Sequence, residues 1–287
     1  MTTINTDSGS NLESLLQANE LFMQQAIGEV AAERLASVIR YHLESGGARL
    51  RAKLALSAGT ALSLNKDICL ALAASCELIH NASLLHDDIQ DGDKMRRGRE
   101  AAWFKYDVNS ALCAGTLMLS AAYRAISQVT VHATQLLAHL HQRTSDLISG
   151  QSLDLTSKTQ HLNVKTYLDI AKGKSGSLLA LPFELVMISA DQTAAIPIAK
   201  AAGESFAVAY QIADDLSDEQ DDLSQHKNNI LSVLHDKGLD RPNALTQANQ
   251  LANDHLNQAI NYASQLPANS GACFIPLCEK LALTINE

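Results

Sequence analysis

The sequence is poor in the residues that interrupt helices and in those that favour sheets. Its 287 residues include only 5 prolines and 14 glycines, and aromatic residues make up 4% of the chain. Alanine and leucine predominate instead, and both enter helices at little cost in conformational entropy. The composition therefore predicts an all-α protein.

Basic charge, paired cysteines and long apolar runs are also scarce. The formal net charge of −9 argues against a nucleic-acid-binding surface, although a small anionic substrate needs only a local basic pocket. The 5 cysteines form no CxxC pair and have no zinc-ligand spacing, which predicts reduced thiols and a cytoplasmic location. The longest apolar stretch, residues 178–190, contains Glu184 and is too short for a transmembrane segment. We therefore predict a soluble protein.

The chain shows no linker, low-complexity tract or repeat, which favours a single domain. We predict a flexible N-terminus over residues 1–10 and one all-α domain over residues 11–287. Residues 128–132 (QVTVH) have the pattern of a short strand, but no partner strand is evident. Helical patterns cover residues 11–43, 67–91, 109–127, 133–150, 164–190, 199–223, 227–237, 242–265 and 271–285.

An acidic cluster ends the helical pattern over residues 67–91, which has few polar residues before that end and is predicted to be a central, buried helix. Asp87 and Asp91 are four residues apart, so a helix places them on one face, one turn apart, with Asp88 beside them. A cation relieves the repulsion between such carboxylates, and their hard oxygen ligands favour Mg²⁺. Arg96 and Arg97 follow in the next loop, and guanidinium groups suit phosphate oxygens. Taken alone, the same pattern also describes a solvated helix end.

A second cluster repeats the arrangement of the first. Asp214, Asp215 and Asp218 follow the apolar stretch AVAYQIA and have the same spacing. Each cluster lies where an apolar helix gives way to polar sequence, and random surface charge rarely repeats that design. The repetition favours a functional role for both clusters.

The two motifs, in this order and spacing, resemble those of the trans-type isoprenyl diphosphate synthases, the polyprenyl synthetase family. The resemblance covers residues 46–234. It implies an isoprenoid synthase-type helical bundle around a central cavity, a homodimer, and a prenyltransferase that uses isopentenyl diphosphate, an allylic diphosphate and Mg²⁺. It also implies that the six motif carboxylates are catalytic and bind the metal, namely Asp87, Asp88, Asp91, Asp214, Asp215 and Asp218.

The same resemblance implies a site for isopentenyl diphosphate. Residues 46–51 (GGARLR) are similar to the family's GGKRLR motif, and Arg51 corresponds to its second arginine. His80 and Arg97 correspond to two further residues that contact this diphosphate. Ala48 replaces the motif's lysine and so removes one positive charge, for which Arg49 is the candidate replacement. This departure concerns the second substrate more than the metal chemistry.

Residues for the allylic diphosphate follow in the same way. Arg96 corresponds to the family's arginine for this group, and Lys174, a residue with a catalytic role as well, corresponds to its lysine. Thr116 stands where the family commonly has aspartate, and the loop after the second motif is shortened. The remaining residues that match substrate-binding positions are Gln151, Asp154, Ser175, Gln211 and Lys227.

The resemblance also bears on product length. Ala82 and Ser83 lie five and four residues before Asp87, about one helical turn below the predicted metal site. Bulky side chains there stop the product early in this family. Two small ones therefore indicate a product of 20 carbons or longer, with 15 carbons still possible.

Two other functions remain open at this point. A terpene synthase-like enzyme would ionise a prenyl diphosphate without isopentenyl diphosphate, and Ala48 favours it. A non-catalytic subunit of a heteromeric synthase would not need both acidic clusters. The retention of Arg51, His80 and Arg97 argues against the first, and the two intact clusters argue against the second.

Overall fold

The structure, a computed structural model, describes residues 7–30, 32–157, 162–217 and 229–286. These residues are predominantly α-helical, which confirms the predicted all-α class. They fall into two compact units, and the division lies between Ala138 and His139. The single domain over residues 11–287 remains a prediction.

The first unit consists of helices and one short β-hairpin. Met95–Arg96 and Arg99–Glu100 pair antiparallel as β1 and β2, with Met95 opposite Glu100. The helices are α1 (Asp7–Ile27), α2 (Glu33–Glu44), α3 (Leu50–Ala61), α4 (Lys66–Asp91), α5 (Ala102–Lys105), α6 (Val108–Ile126) and the first residues of α7 (Ala133–Ser157).

Helix α4 is the central element of the first unit and packs against α1, α3 and α6. Asn65 is its N-cap and accepts a hydrogen bond from the backbone N–H of Asp67, so the helix starts one residue before the predicted one. Among the helices described, α4 alone is long and apolar enough to meet a membrane-span criterion, but 78% of its apolar window is buried inside the protein. Such burial is typical of the core helix of a soluble protein.

The first predicted helix is two helices. Its pattern over residues 11–43 is interrupted after Ile27, where Gly28 has a φ of 77°. Arg124 on α6 donates a hydrogen bond to the backbone oxygen of Ala26, which satisfies one of the last carbonyls of α1. Helix α1 begins at Asp7 and so includes residues 7–10, which the sequence had placed in the flexible N-terminus.

The second unit is helical throughout its described elements. Helix α9 is buried along its whole length and contains Pro182 without an interruption. The elements are the remainder of α7, α8 (Val164–Ala171), a π-helical turn (Lys172–Gly176), α9 (Ser177–Ser189), a 3₁₀ turn (Thr193–Ala195), α10 (Ile196–Ser217), α11 (Ile230–Asp236), α12 (Arg241–Ser264), a 3₁₀ turn (Pro267–Asn269) and α13 (Ile275–Asn286).

Helix α10 is the central element of the second unit and packs against α9 and α12. Its Phe206 lies 4.9 Å from Phe274, ring centroid to ring centroid, and Phe274 meets Phe183 of α9 edge to face at 5.4 Å. This aromatic cluster fixes α10 against its neighbours and thereby sets the position of the acidic residues that α10 carries.

Other sequence predictions of local structure need correction. Residues 128–132 form turns and not a strand. Helix α3 and the β1–β2 hairpin were not predicted. Both are short and depend on contacts with α4 and α2, which local sequence patterns do not reveal.

Candidate active site

The first acidic triad lies in the last turns of α4. Asp87 and Asp91 are partly exposed, whereas Asp88 is only 1% exposed. Gly92, with a φ of 72°, caps the helix immediately after Asp91. Asp87 and Asp91 therefore share an accessible face, as the spacing predicted, while Asp88 points toward the protein interior.

Asp88 is held by Arg96 of strand β1. Arg96 Nε donates to Asp88 Oδ1 at 2.7 Å, and Arg96 Nη2 donates to the same oxygen. Burial raises the pKa of the Asp88 carboxyl despite the nearby guanidinium. The second oxygen, Oδ2, is buried without a hydrogen-bond partner. Arg96 is thus bonded to the triad, and the other oxygen of Asp88 makes no hydrogen bond.

The hairpin that carries Arg96 and Arg97 is anchored by Tyr41 of α2. Arg97 and Gly98 occupy the turn with φ values of 53° and 75°, the combination typical of a type I′ turn. Tyr41 of α2 donates a hydrogen bond from its hydroxyl to the backbone oxygen of Glu100 at 2.8 Å, and Arg99 stacks over its ring. The two arginines predicted to bind diphosphate therefore lie in a turn that is held by contacts with α2.

Arg97 lies against the glycine pair that precedes α3. It donates from Nη1 to the backbone oxygen of Gly46 and, at 3.5 Å, to Ser45 Oγ, and both acceptors are neutral. Gly47 has a φ of 128°, and a Cβ atom there would collide with the Arg97 guanidinium. Partial burial and then repulsion from Arg49 and Arg96 lower the pKa of Arg97. Such a concentration of positive charge suits an anionic ligand.

Arg49 has a different environment from Arg97. Its guanidinium forms an ion pair with Glu20, with Nε at 2.5 Å from Oε1, and also donates to the backbone oxygens of Leu43 and Gly46. These contacts satisfy backbone carbonyl groups at and just after the C-terminus of α2. Ala48, in contrast, is exposed. The structure therefore places Arg49 in a supporting contact, and its predicted role in substrate binding stays a prediction.

Two histidines, His42 and His80, lie close to Arg97 and form a basic cluster with Arg97 and Arg51. Burial lowers the pKa of His80 well below its usual value, and the charges of Arg51 and Arg97 lower it further. His42 of α2 is 3% exposed, and burial followed by the charge of Arg97 lowers its pKa to about 4. Sequence reasoning missed His42, because a lone histidine near the end of a helix carries no recognisable motif.

The low pKa of His42 predicts acid-induced destabilisation. Between pH 6.5 and pH 4 the unfolded chain binds a proton at His42 that the folded protein does not bind, so stability falls as the pH falls. The shift from 6.5 to about 4 corresponds to a loss of about 3 kcal/mol at most. Unfolding midpoints at pH 7.5 and pH 5 should differ less in a His42→Gln variant, with His235→Gln, at an exposed position, as the control. An unchanged difference in His42→Gln would contradict this assignment.

Glu77 stabilises the first turn of α3, the helix that carries Arg51 of the same cluster. This side chain of α4 is 2% exposed, and its Oε1 accepts a hydrogen bond from the backbone N–H of Ala52 at 3.0 Å. A carboxylate at this position satisfies an otherwise unpaired donor in the first turn of α3 and suits the helix dipole. It thereby fixes the start of α3, which carries Arg51.

The second acidic triad lies on α10 in the second unit. Asp214 is exposed, and Asp215 is 2% exposed. The central aspartate of the motif is therefore again the buried one. The predicted metal ligand Asp218 and the predicted substrate ligand Lys227 lie outside the described residues.

Asp215 accepts hydrogen bonds from three elements. Tyr167 of α8 and the backbone N–H of Ile230 both donate to Oδ2 at 2.7 Å, and Gln211 donates from Nε2 to Oδ1 at 2.8 Å. Asn229 donates to the backbone oxygen of Asp215 at 2.7 Å and caps α11. The side-chain amide of Gln211, a predicted substrate ligand, is thus bonded to the triad itself.

Lys174 lies in the π-helical turn after α8. π-helical turns occur often at functional sites, because they change the direction of a side chain within a helix. Lys174 Nζ lies 2.7 Å from Asp154 Oδ2. The turn approaches α7 so closely that a Cβ atom at Gly150 would collide with the backbone of Gly173 and Lys174. The residues of GQSLDL and GKSGSLL are therefore neighbours, as their shared predicted role requires.

Gln151 is a buried amide beside this contact. The residue is 6% exposed, and both polar atoms of its side chain are buried without a hydrogen-bond partner. An unsatisfied buried amide is costly, and such groups are found where a ligand is recognised. The neighbouring Ser175 is partly exposed.

Comparison with known proteins decides the family. The polyprenyl synthetase family model matches residues 32–260, which is most of the chain. The chain belongs to the polyprenyl synthetase family. This membership makes the protein a transferase and confirms the resemblance that the two acidic motifs indicated.

Similar proteins include several prenyl diphosphate synthases. A short chain isoprenyl diphosphate synthase of Methanocaldococcus jannaschii is 28% identical over 222 residues, which cover 72% of this chain and 68% of that protein. A geranylfarnesyl diphosphate synthase of Natronomonas pharaonis is 28% identical over 272 residues, with 81% and 79% covered. The crystal structure of a decaprenyl diphosphate synthase from Rhodobacter capsulatus superposes with a TM-score of 0.89 at 20% identity, covering 97% of this chain and 98% of that one, which shows a shared fold.

Two residues of this polyprenyl synthetase family member have mainly structural surroundings. His86 packs on Gly115 of α6, where a Cβ atom would collide with its ring. Thr116 is exposed and donates a hydrogen bond to the backbone oxygen of Leu112. Neither contact bears on the acidic triads directly.

Proposed function

We propose that this polyprenyl synthetase family member joins isopentenyl diphosphate head to tail to an allylic diphosphate. The observation that carries the proposal is the pairing within the first unit of an acidic triad and a basic cluster. Arg96 is bonded to Asp88, whereas Arg97, six residues after the triad's last member Asp91, donates to neutral acceptors. Two diphosphate substrates that bind at separate positions would explain why one arginine is bonded to the acidic triad and the other is not.

The acidic triads fit Mg²⁺ by the chemistry of their donors. Mg²⁺ binds proteins through one or two carboxylates and takes substrate phosphate and water for the rest. Asp87, Asp91 and Asp214 are accessible carboxylates, and Asp88 Oδ2 is a buried oxygen without a partner. Among the residues described, no three His, Cys, Asp or Glu side chains are grouped closely enough to hold a metal ion by themselves. When bound, Mg²⁺ would neutralise the charge that develops on the leaving diphosphate.

The reaction breaks one C–O bond and forms one C–C bond. The allylic diphosphate loses inorganic diphosphate, the double bond of isopentenyl diphosphate attacks the allylic carbon, and the departing diphosphate accepts the proton that is released. We assign Arg96, Lys174 and Lys227 to the allylic diphosphate, with Gln151, Asp154, Ser175 and Gln211 around it. Fixed cations in a water-poor site stabilise the leaving group without reorganisation.

The second substrate is assigned to the basic cluster of the first unit. Arg51, His80 and Arg97 would hold the diphosphate of isopentenyl diphosphate and direct its double bond. The low pKa of His80 keeps its ring neutral at physiological pH, so that it serves as a hydrogen-bond donor and adds no charge. Arg49 would contribute indirectly, since it holds the C-terminus of α2 beside this cluster.

Product length follows from the small side chains below the first triad. Ala82 is 3% exposed, and Ser83 donates its hydroxyl hydrogen to the backbone oxygen of His80. Neither side chain is large enough to stop a growing chain. We propose a product of 20 carbons or longer, with 15 carbons within range, made by a cytoplasmic homodimer.

Ala48 favours a second candidate function, namely a terpene synthase-like enzyme that uses no isopentenyl diphosphate. The residue is exposed beside Gly47 and leaves the basic cluster without the lysine of related motifs. The surrounding Arg51, His80 and Arg97 have no evident use in such an enzyme. We therefore rank it second, and a non-catalytic partner subunit third.

Restoring the missing lysine should strengthen binding of the second substrate. Because position 48 is exposed, Ala48→Lys needs no repacking, and the added charge should lower the KM for isopentenyl diphosphate by about three- to tenfold. The KM for the allylic diphosphate should stay unchanged, and steady-state kinetics with each substrate varied in turn measures both. Ser57→Lys, at a partly exposed position of α3, is the control for added charge. Equal effects of the two variants would remove position 48 from the site.

Incorporation of labelled isopentenyl diphosphate tests the proposal. Geranyl, farnesyl and geranylgeranyl diphosphates are offered separately with Mg²⁺, and the product is resolved by chain length. We expect elongation to 20 carbons or more, abolished by EDTA and restored by added Mg²⁺. No incorporation of label with any of the three primers would argue for a non-catalytic partner subunit.

A further inference from the structure

Tyr167 joins the second acidic triad to the element that carries Lys174. Tyr167 is 4% exposed, and its hydroxyl donates to Asp215 Oδ2 at 2.7 Å. Helix α8, on which Tyr167 lies, runs directly into the π-helical turn that contains Lys174. Asp214, the accessible carboxylate, is the immediate neighbour of Asp215 on α10. One buried hydrogen bond therefore links the elements that position a predicted metal ligand and a predicted diphosphate ligand.

The arrangement constrains the rotation of α10. A buried carboxylate that accepts from Tyr167, Gln211 and the backbone of Ile230 has little freedom to turn. Consecutive residues of a helix point about 100° apart, so the inward direction of Asp215 sets the outward direction of Asp214. Sites that bind metals lose function when their supporting hydrogen bonds are removed, even though the ligands themselves remain.

We propose that Tyr167 is a positioning residue for diphosphate and metal binding at the second triad, an inference that rests on the proposed function. It acts through Asp215 and contacts neither substrate nor metal. Loss of its hydroxyl should weaken binding while the residues that perform the chemistry remain. The expected signature is therefore a change in affinity and KM, with kcat at saturation little changed.

A purely structural role makes a different prediction. If Tyr167 serves only to fill and satisfy the interior, Tyr167→Phe lowers the unfolding midpoint and leaves the affinities of the folded protein as they were. Thermal stability alone therefore does not distinguish the two roles. A binding measurement that does not depend on turnover does.

The test compares the wild type with Tyr167→Phe and a matched control. Tyr262→Phe removes the hydroxyl of a partly exposed tyrosine of the same unit that takes no part in the bonds to Asp215. Binding of Mn²⁺ in the presence of inorganic diphosphate is followed by electron paramagnetic resonance, and KM and kcat are measured with the allylic primer. We expect about tenfold weaker Mn²⁺ binding and a KM for the allylic diphosphate about tenfold higher in Tyr167→Phe alone.

Each outcome has a definite meaning. A lower unfolding midpoint with unchanged Mn²⁺ affinity would overturn the positioning role and leave the proposed function intact. Failure of the wild type to bind Mn²⁺ with diphosphate would overturn the proposed function, and this inference with it. If Tyr167→Phe does not fold, 4-fluorophenylalanine at position 167 takes its place, since its fluorine fills the space of the hydroxyl but donates no hydrogen bond. It should show the same loss of Mn²⁺ affinity while all the acidic residues stay unchanged.

Discussion

Replacing Asp87 by alanine should lower kcat by at least about 1000-fold without unfolding the protein, since several kcal/mol of charge stabilisation depend on the metal. Asp87 is a partly exposed carboxylate on α4, so its removal leaves no cavity in the core. Single-turnover kinetics with the allylic diphosphate measures the chemical step, and circular dichroism confirms that the helices are retained.

Asp67→Ala is the matched control for this result. Asp67 lies in the first turn of the same helix, is exposed, and is 20 residues away from Asp87. Its loss should change stability by only a few tenths of a kcal/mol and leave kcat within about twofold. If Asp87→Ala retains wild-type turnover, the first triad is not the metal site. If the wild type and the variant are both inactive alone but both activate a partner chain, the protein is a non-catalytic subunit of a heteromeric synthase.

The largest effect on stability should come from Glu184. Its carboxylate is fully buried on α9 and accepts hydrogen bonds from Arg143 of α7, with Nε at 2.7 Å from Oε2, while His139 Nε2 lies 2.9 Å from the same oxygen. Glu184→Gln removes the fully buried counter-charge of Arg143 and leaves it only the more exposed Asp146, 2.9 Å away, which costs about 3 kcal/mol. The unfolding midpoint should fall by about 10 °C, as measured by differential scanning calorimetry.

A double replacement separates the charge effect from packing. Arg143→Met with Glu184→Leu removes both charges and fills similar volume, so it should recover most of the lost stability. Asp169→Asn, which breaks the exposed pair with Lys165, should shift the midpoint by no more than about 2–4 °C. A double variant as unstable as Glu184→Gln would show that hydrogen-bond geometry, and not the unpaired charge, dominates.

The sequence predicted the features that depend on local spacing. The helical face shared by Asp87 and Asp91 follows from a separation of four residues, and α4, α6 and α12 follow from long uninterrupted helical patterns. The family resemblance allowed residues such as Lys174 and Asp154 to be assigned to a shared role, and the structure places their charged atoms 2.7 Å apart.

Features that depend on distant contacts were not predictable in this way. Arg49 was a candidate ligand, but it pairs with Glu20, 29 residues earlier in the chain. The inward direction of Asp88 and Asp215 depends on Arg96 and Tyr167, and no spacing rule shows which member of a DDxxD triad is buried. The predicted roles of the individual site residues therefore stay predictions until variants are measured.

The ratio of inorganic diphosphate released to isopentenyl units incorporated is the most direct test of the central claim. Both are measured in one reaction that contains Mg²⁺, an allylic primer and labelled isopentenyl diphosphate. Condensation releases one diphosphate for each unit joined, so we predict a ratio of one that holds as the chain grows, with both quantities abolished by EDTA. Diphosphate released without incorporation of label would contradict the account and identify an enzyme that only ionises its substrate.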